Sequence, residues 1–159
     1  CSVDNVWRDS FASKCPFDSG SFPSASAEFY SRSVCADIDR RMQVSRNQHM
    51  CLKDSIGKYA AHSCNPNMKV EAQNSPKGLA VQYVAIKDID PNTTLSFDYC
   101  TTERQFAAPF ECCCGAENCR IRIDGWETLT PAQKDLLSVN ALPYLKEEDD
   151  NIIIDKTTK

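Results

Sequence analysis

Three cysteines late in the chain have a spacing that suits a metal ion. Cys112, Cys114 and Cys119 form a C-x-C-x4-C pattern, and Gly115 lets the chain turn back within it. Zinc in a structural site takes four ligands in a tetrahedron, with thiolate sulfur about 2.3 Å from the ion. A disulfide between cysteines this close in sequence would be strained, because their Cα positions and side-chain directions fit the bond poorly. The spacing favours zinc; the alternative is a disulfide knot in a secreted protein.

The fourth ligand has to come from another part of the chain, and the candidate is Cys64. It belongs to the unusual cluster "HSCNPN", residues 62–67, in which Pro66 favours an extended or turn conformation for Asn65. Cys64 is therefore expected to project from a loop. Four cysteine ligands leave no open coordination position, so a zinc ion here would be structural rather than catalytic.

The remaining cysteines leave the compartment open. They are Cys1, Cys15, Cys35, Cys51, Cys100 and Cys113. An even number permits disulfides throughout if the chain is secreted, whereas in a reducing compartment the same residues would be free thiols that pack as small hydrophobic groups.

The composition argues against two kinds of partner. The 159 residues carry a net charge of −4, whereas a protein that binds nucleic acid through phosphate contacts needs a basic face. No run approaches the roughly 18 apolar residues of a membrane-spanning segment. With 42% hydrophobic residues, the chain can form one domain whose core does not depend on the cysteines.

Short strands are expected to position these residues. Apolar runs at residues 69–73 and 79–86 flank a turn with Pro76 and Gly78, which predicts a β-hairpin. A further strand is expected near Met42 to Ser45.

The segment "TTLSFDY" also has a strand pattern. It predicts a half-buried strand over residues 93–99, in which one face is apolar and the other polar. The apolar face would consist of Leu95, Phe97 and Tyr99, and the polar face of Thr94, Ser96 and Asp98.

One helix is predicted, at "TPAQKDLLSV", residues 130–139. Thr130 would cap its N-terminus, Pro131 occupies the first helical position, and Gln133 completes a capping box. Short strands, loops and one helix indicate an all-β or α+β domain, that is, a mostly β fold with one C-terminal helix. The helix is expected to face the core with Ala132, Leu136 and Leu137.

Taken in order, three segments resemble the C-terminal half of a SET domain followed by its post-SET zinc motif. They are "HSCNPN" at 62–67, "VAIKDIDPNTTLSFDY" at 84–99 and "FECCCGAENC" at 110–119. SET domains are S-adenosylmethionine-dependent protein-lysine methyltransferases. The resemblance extends over residues 56 to about 145 and is strongest to small fungal SET proteins. It implies small β-sheets around a knot-like core, in which a C-terminal segment threads beneath a loop.

The resemblance also implies roles for individual residues. Tyr99 would be the catalytic tyrosine, whose hydroxyl lies at the point of methyl transfer. Cofactor-binding residues would be His62, Ala61, Tyr59 and Phe97, with His62 acting mainly through nearby backbone. One structural Zn²⁺, held by the four cysteines named first, would attach the C-terminal segment to the active site.

The cofactor side differs from the family pattern at two points. Ala61 replaces an asparagine whose amide holds the cofactor in the family, and a methyl group can neither donate nor accept a hydrogen bond. Gly20 alone lies where the family has a G-x-G segment, at which the backbone approaches the cofactor closely.

Two leading hypotheses follow, beside a third, a disulfide-rich secreted protein unrelated to SET domains, which fits only the cysteines. The first is a protein-lysine methyltransferase with a divergent cofactor site, located in the nucleus or cytoplasm, that acts on a protein or peptide lysine. The second is a catalytically inactive SET-fold protein with a structural or interaction role, secreted and stabilised by disulfides. The apolar strip "NIIID", residues 151–155, is a candidate for pairing with a protein partner or a second copy.

The sequence suggests four parts. Residues 1–50 form a divergent N-terminal and insert region, and 51–100 the C-terminal half of the SET core. Residues 101–145 hold the post-SET zinc segment and the helix, and 146–159 an acidic tail.

Overall fold

The computed structural model describes residues 29–30, 41–52, 55–75, 78–147 and 149. Expectations that concern Gly20, Cys1, Cys15, Cys35 or the strip at 151–155 lie outside these residues. None of the helices in the described segments is long and apolar enough to cross a membrane.

Short strands dominate the described part of the chain and form four small sheets. This confirms the mostly-β fold class with a C-terminal helix, after which residues 143–147 are helical again. The strands are β1 (Phe29–Tyr30), β2 (Arg41–Ser45), β3 (Gln48–Cys51), β4 (Ala61–His62), β5 (Met68–Ser75), β6 (Gly78–Ala85), β7 (Ser96–Phe97), β8 (Phe110–Glu111) and β9 (Arg122–Ile123).

Three of the sheets are antiparallel and one is parallel. The largest has the strand order β1-β3-β2, and β5 pairs with β6 and β8 with β9. The parallel sheet joins β4 to β7, which are far apart in sequence. It therefore brings the "HSC" and "FDY" segments side by side.

The β5–β6 hairpin and strand β2 confirm two sequence predictions. Met68 pairs with Ala85 at the open end of the hairpin, and Val70 and Val81 are buried. The register follows from the alternation of apolar side chains, since a slip by one residue would turn the buried face outward. Residues 76–77 of the expected turn lie outside the described residues.

The strand predicted over residues 93–99 is wrong in both its length and its alternation. Only Ser96–Phe97 is a strand, and Ser96, Phe97 and Asp98 are buried in succession. The strand ends because Asp98 caps a 3₁₀ turn, Tyr99–Thr101, its side chain accepting a hydrogen bond from the Cys100 N–H. Side-chain capping of this kind competes with a strand ladder.

Helix α1, Pro131–Leu137, confirms the predicted start. Thr130 caps it, and Gln133 completes the capping box. The predicted core face is largely wrong: Leu137 is buried, but Leu136 is 71% exposed and Ala132 is exposed too. Because the helix has only seven residues, it covers the core with its last residue and leaves the rest to the chain that follows.

The core consists of two clusters. The larger one includes the buried side chains of Trp126, Leu142 and Leu145, which pack with buried residues of the central strands. The smaller one contains Cys64, Cys100, Cys112 and Ile123. The chain after α1 also returns to the Tyr99 turn, where the Leu142 N–H donates to the Thr101 carbonyl at 2.9 Å. The threading of a C-terminal segment beneath a loop stays a prediction.

Candidate active site and metal centre

The parallel pairing of β4 with β7 builds the centre of the site. Ala61 lies opposite Ser96, and His62 opposite Phe97. The Ala61 N–H donates to the Leu95 carbonyl at 2.9 Å. Two strands of two residues each would be weak alone, so the surrounding side chains must hold them.

Asn67 supplies much of that support. Its amide nitrogen donates to the Thr94 carbonyl at 2.9 Å, and its amide oxygen accepts from the Ser96 N–H at 2.8 Å. The side chain is buried, so both bonds are shielded from water. Sequence reasoning missed this role, although the Asn-Pro-Asn motif was a signal that polar groups here serve the backbone.

Tyr99 lies beside the end of β4. Its hydroxyl donates to the Ala60 carbonyl at 2.7 Å, and its backbone N–H donates to Nδ1 of His62 at 3.2 Å. Burial raises the pKa of Tyr99 to about 12, because the charged phenolate would lose its hydration. At neutral pH the residue is therefore a hydroxyl donor.

His62 is held as a neutral ring. Burial lowers its pKa to about 4; the nearby Asp98 carboxylate works against this shift, and Arg120 adds to it. Since Nδ1 accepts from Tyr99, the remaining proton lies on Nε2, which is 3.5 Å from the sulfur of Cys64. This supports the expectation that the histidine side chain is structural.

Aromatic rings surround Tyr99 and form what we call the aromatic cleft. Tyr99, Phe106 and Phe110 are only half-buried, so part of each residue is exposed to solvent. Sequence reasoning missed Phe106 and Phe110, although the run "QFAAPF" ahead of the cysteines was a possible signal. The distance from the Tyr99 ring centroid to the centroid of a neighbouring ring is 4.7 to 6.3 Å; the neighbours are His62, Phe97, Phe106 and Phe110.

The four residues predicted to bind cofactor differ in the exposure and the chemical groups of their side chains. Tyr59 ends the turn before β4 and is 45% exposed, with the Lys58 ammonium 4.9 Å above its ring. Phe97 is almost fully buried, and the imidazole of His62 is engaged within the protein. Ala61 offers a methyl group. Their role towards a cofactor stays a prediction.

The four cysteines predicted to bind metal lie together. The sulfur atoms of Cys64, Cys112, Cys114 and Cys119 are all within 4.8 Å of one another, and those of Cys64 and Cys112 are 4.0 Å apart. Bonds of about 2.3 Å in a tetrahedron place sulfur atoms roughly 3.8 Å apart. All four are free thiols, so no disulfide occupies the cluster. The donor set and its size fit a zinc ion.

Local structure explains how three of these cysteines converge. β8 leads directly into Cys112, and Gly115 has φ of +69°, the left-handed conformation that reverses the chain. Backbone N–H groups of Arg120 and Ile121 point at the sulfurs of Cys64 and Cys119, each at 3.4 Å. Such bonds orient metal-binding thiolates.

The electrostatics of the cluster vary from one sulfur to the next. Burial raises the pKa of Cys64 and of Cys112. For Cys114 burial acts in the same sense, but backbone N–H groups of Cys64 and Ala116 and the two neighbouring thiols outweigh it and lower the pKa to about 6.

The other described cysteines stand apart from this set. Cys113 is exposed, Cys51 is half-buried and Cys100 is buried, and each is a free thiol. Cys113 lies between two members of the cluster in sequence, but its side chain points into solvent and the cluster does not include it.

Asp98 and Arg120 form an ion pair that sequence reasoning missed. The guanidinium nitrogens Nη1 and Nη2 lie 2.7 and 2.6 Å from the two carboxylate oxygens. Burial acts to lower the pKa of Arg120, but the bonds and the attraction to Asp98 outweigh it and raise the pKa. No short spacing signals the pair, because 22 positions separate the residues.

The fold and site define a class: a domain of small β-sheets in which a tyrosine-centred aromatic cleft adjoins a cluster of four cysteines. The chain belongs to the SET domain family, whose profile matches residues 5–100.

Curated proteins with related sequences are histone-lysine methyltransferases. The chain is 35% identical over 80 residues to the H3 lysine-36 specific histone-lysine N-methyltransferase of Candida albicans, which covers 50% of this chain and 9% of that protein. It is 32% identical over 73 residues to histone-lysine N-methyltransferase ASHH2 of Arabidopsis thaliana, and the match covers 46% of this chain and 4% of that protein. It is 33% identical over 73 residues to histone-lysine N-methyltransferase Set2 of Drosophila melanogaster, and the match covers 46% of this chain and 3% of that protein. The chain thus spans less than a tenth of each relative.

Proposed function

We propose that the protein is an S-adenosylmethionine-dependent protein-lysine N-methyltransferase with a structural zinc ion. The observation that carries the proposal is the Tyr99 hydroxyl, fixed on the Ala60 carbonyl within the aromatic cleft. Membership of the SET family and the histone-lysine methyltransferase names of its relatives support it.

Bound S-adenosylmethionine would supply a methyl group on a positively charged sulfonium. The chain's part is to bring in a lysine amine in neutral form and to align it. Aromatic walls exclude water, which lowers the pKa of an entering lysine because the ammonium loses hydration. Alignment of two reactants accounts for much of the rate gained in such a site.

Tyr99 and Ala60 would orient the amine. The hydroxyl hydrogen of Tyr99 is committed to the Ala60 carbonyl, so the lone pairs of the phenol oxygen remain as acceptors for an amine N–H. Because the pKa of Tyr99 is about 12, the oxygen stays neutral at working pH and does not trap the lysine as an ammonium ion. Tyr99 is therefore the proposed catalytic residue.

The cysteine cluster would hold the zinc ion. Its four sulfurs come from the loop after β4 and from the segment after β8, so one ion joins both to the site. All four coordination positions are filled by protein, which makes the ion structural. A C-terminal post-SET zinc segment is part of this proposal.

The cofactor would meet Tyr59, Ala61, His62 and Phe97. In the described residues the exposed ring of Tyr59 is the largest accessible surface among them and suits stacking on a heterocycle. Ala61 contributes no polar side-chain contact, so the cofactor site is divergent on this edge.

Histone tail peptides are the first substrates to test. The relatives are named for histone lysines, and the net charge of −4 suits a basic peptide. The substrate is proposed as a class only: an unmodified lysine in a basic segment of a protein.

Ala61 favours a second candidate, an inactive SET-fold protein with a structural or interaction role. Losing one hydrogen bond to a cofactor costs about 0.5–1.5 kcal/mol, and more when the partner is charged. The zinc centre and the aromatic cleft would then serve stability alone.

Calorimetry with S-adenosylmethionine distinguishes the two candidates. The methyltransferase should release heat and saturate at micromolar cofactor, and Tyr99→Phe should bind equally well, because it lacks only the hydroxyl. Absence of binding at millimolar cofactor would overturn the enzyme proposal. Ala61→Asn is the matched variant: tighter binding would confirm that this position faces the cofactor.

A further inference from the structure

The ion pair between Asp98 and Arg120 connects the aromatic cleft to the cysteine cluster. Asp98 directly precedes Tyr99, and Arg120 directly follows Cys119. Both guanidinium Nη atoms contact the carboxylate, at 2.7 and 2.6 Å, in the parallel fork that arginine forms with a carboxylate. The side chains are 1% and 11% exposed, so solvent and salt screen the pair little.

On the cleft side, the carboxylate fixes the turn that carries Tyr99. Oδ1 of Asp98 accepts from the Cys100 N–H at 3.0 Å and so caps the 3₁₀ turn Tyr99–Thr101. The position of the Asp98 side chain therefore sets where the turn begins. Because Tyr99 is the first residue of that turn, its ring direction depends on this cap.

On the cluster side, Arg120 is bound to a sulfur through its own backbone. Its N–H lies 3.4 Å from the sulfur of Cys64. The neighbouring Asn118 donates to the Cys64 carbonyl at 2.9 Å, which holds the same turn against the same loop. Any displacement of the sulfurs therefore moves the backbone from which the guanidinium extends.

We infer that Arg120 is a positioning residue for Tyr99, and that through Asp98 it makes the placement of the Tyr99 hydroxyl depend on the geometry of the four-cysteine centre. The inference rests on the proposed zinc ion and deepens the proposed role of Tyr99. Arginine is needed here rather than lysine, since a single ammonium cannot hold both carboxylate oxygens in a fixed plane.

Metal exchange tests the coupling without any need for activity. The full chain is prepared with 3-fluorotyrosine and loaded with zinc or with cadmium, a larger ion that thiolates also bind. The fluorine resonance of Tyr99 is assigned by its loss in Tyr99→Phe. We expect it to shift between the two metal forms, while the exposed Tyr59 resonance stays in place.

The variant that decides is Asp98→Asn combined with Arg120→Met. The asparagine keeps an oxygen for the Cys100 N–H, and no unpaired charge is left buried. We expect unchanged metal content and a clearly reduced Tyr99 shift difference; what remains would pass through His62, which contacts both the Tyr99 N–H and the Cys64 sulfur. The matched control is Asp124→Asn with Arg122→Met, which removes a more exposed ion pair, 2.9 Å apart, at strand β9 and should retain the full shift.

The outcomes separate cleanly. A full Tyr99 shift difference in the metal-loaded double variant, or no shift in the unaltered chain, overturns the inference. If the double variant does not bind metal, the metal-loaded Arg120→Lys variant is measured instead. A smaller Tyr99 shift difference between its two metal forms supports the inference, and an unchanged difference overturns it.

Activity supplies a second readout. A misplaced hydroxyl should lower kcat by about 10²-fold with little change in KM for the peptide. If the unaltered chain shows no methyl transfer but Tyr99 still responds to the metal, the proposed function fails and the coupling stands.

Discussion

The aromatic cleft and the cysteine cluster adjoin each other but are held by different forces. The cleft depends on many moderate contacts: the β4–β7 pairing, the Asn67 amide and the aromatic rings packed around Tyr99. The cluster depends on four sulfurs in loops with little regular structure. If one zinc ion holds the cluster, removing a single ligand should release the metal and disrupt the whole cluster. In the cleft, by contrast, single changes should lower either methyl transfer or stability, each to a limited extent.

Replacing Cys114 by serine is expected to have the largest effect. It removes one of four ligands, and structural zinc sites supply on the order of 10 kcal/mol of folding free energy in small domains. We expect loss of bound zinc by mass spectrometry of metals and a large fall in Tm. Cys113→Ser is the matched control, because that exposed thiol lies outside the cluster and should leave both values unchanged. Equal zinc content in the two variants would refute the ligand set.

Replacing Tyr99 by phenylalanine should abolish methyl transfer while the protein still folds. Loss of the hydroxyl removes the proposed acceptor for the amine, and we expect methyl transfer to fall by at least about 10²-fold. The lost bond to Ala60 should lower the free energy of unfolding by only about 1 kcal/mol. Tyr83→Phe is the control: its hydroxyl has a weak contact with the Met42 sulfur at 4.0 Å, and activity should survive. Full activity in Tyr99→Phe would show that the catalytic residue is wrong.

Replacing Asn67 by alanine should separate the stability of the cleft from that of the cluster. The change removes two buried hydrogen bonds, one to Ser96 in β7 and one to Thr94 just before that strand. The free energy of unfolding should fall by about 2–3 kcal/mol. Zinc content should not change. Asn65→Ala is the control, because among the described residues its exposed side chain bonds only the Lys87 ammonium, at 3.2 Å, and its loss should change stability by less than about 0.5 kcal/mol. Denaturant unfolding measures both; equal effects would contradict the assigned role.

Alkaline pH should produce the smallest effect. The pKa of Tyr99 is raised from 10.0 to about 12, so the folded state holds this proton more tightly than the unfolded state. The contribution is therefore fully present below pH 10 and is lost as pH rises through 12. We expect Tyr99 to contribute about 1–2 kcal/mol of the stability lost across this window, allowing for partial solvent contact, so the loss should be smaller by that amount in Tyr99→Phe, where buried groups such as Tyr83 still titrate. Identical alkaline profiles for the two proteins would show that Tyr99 is not buried as described.

The sequence was more informative about the cluster than about the cleft. Three of the cysteines lie within eight positions, so residue type and spacing suffice to predict a metal-binding pattern, and Cys64, singled out through the Asn-Pro motif, does lie with them. The hairpin β5–β6 and the start of α1 were likewise predictable, because alternation and capping are local signals. The long-range pair Asp98–Arg120 left no such signal.

Burial on the helix and along "FDY" could not be predicted from periodicity. Leu136 has the apolar character of a core residue but is exposed, since α1 is too short to wrap around the core. Asp98 has the character of a surface residue but is buried, because the arginine that neutralises it comes from a distant loop.

The sequence by itself determined the chemical groups of this protein: the cysteine pattern, the Tyr99 motif, the hairpin and the capped helix. Only the tertiary structure decided which groups meet. The parallel pairing of β4 with β7, the aromatic walls supplied by Phe106 and Phe110, and the Asp98–Arg120 bridge all join residues far apart in the chain. Local patterns reflect free energies within a few residues, whereas the burial of a charge or a hydroxyl depends on partners that only the folded chain brings near.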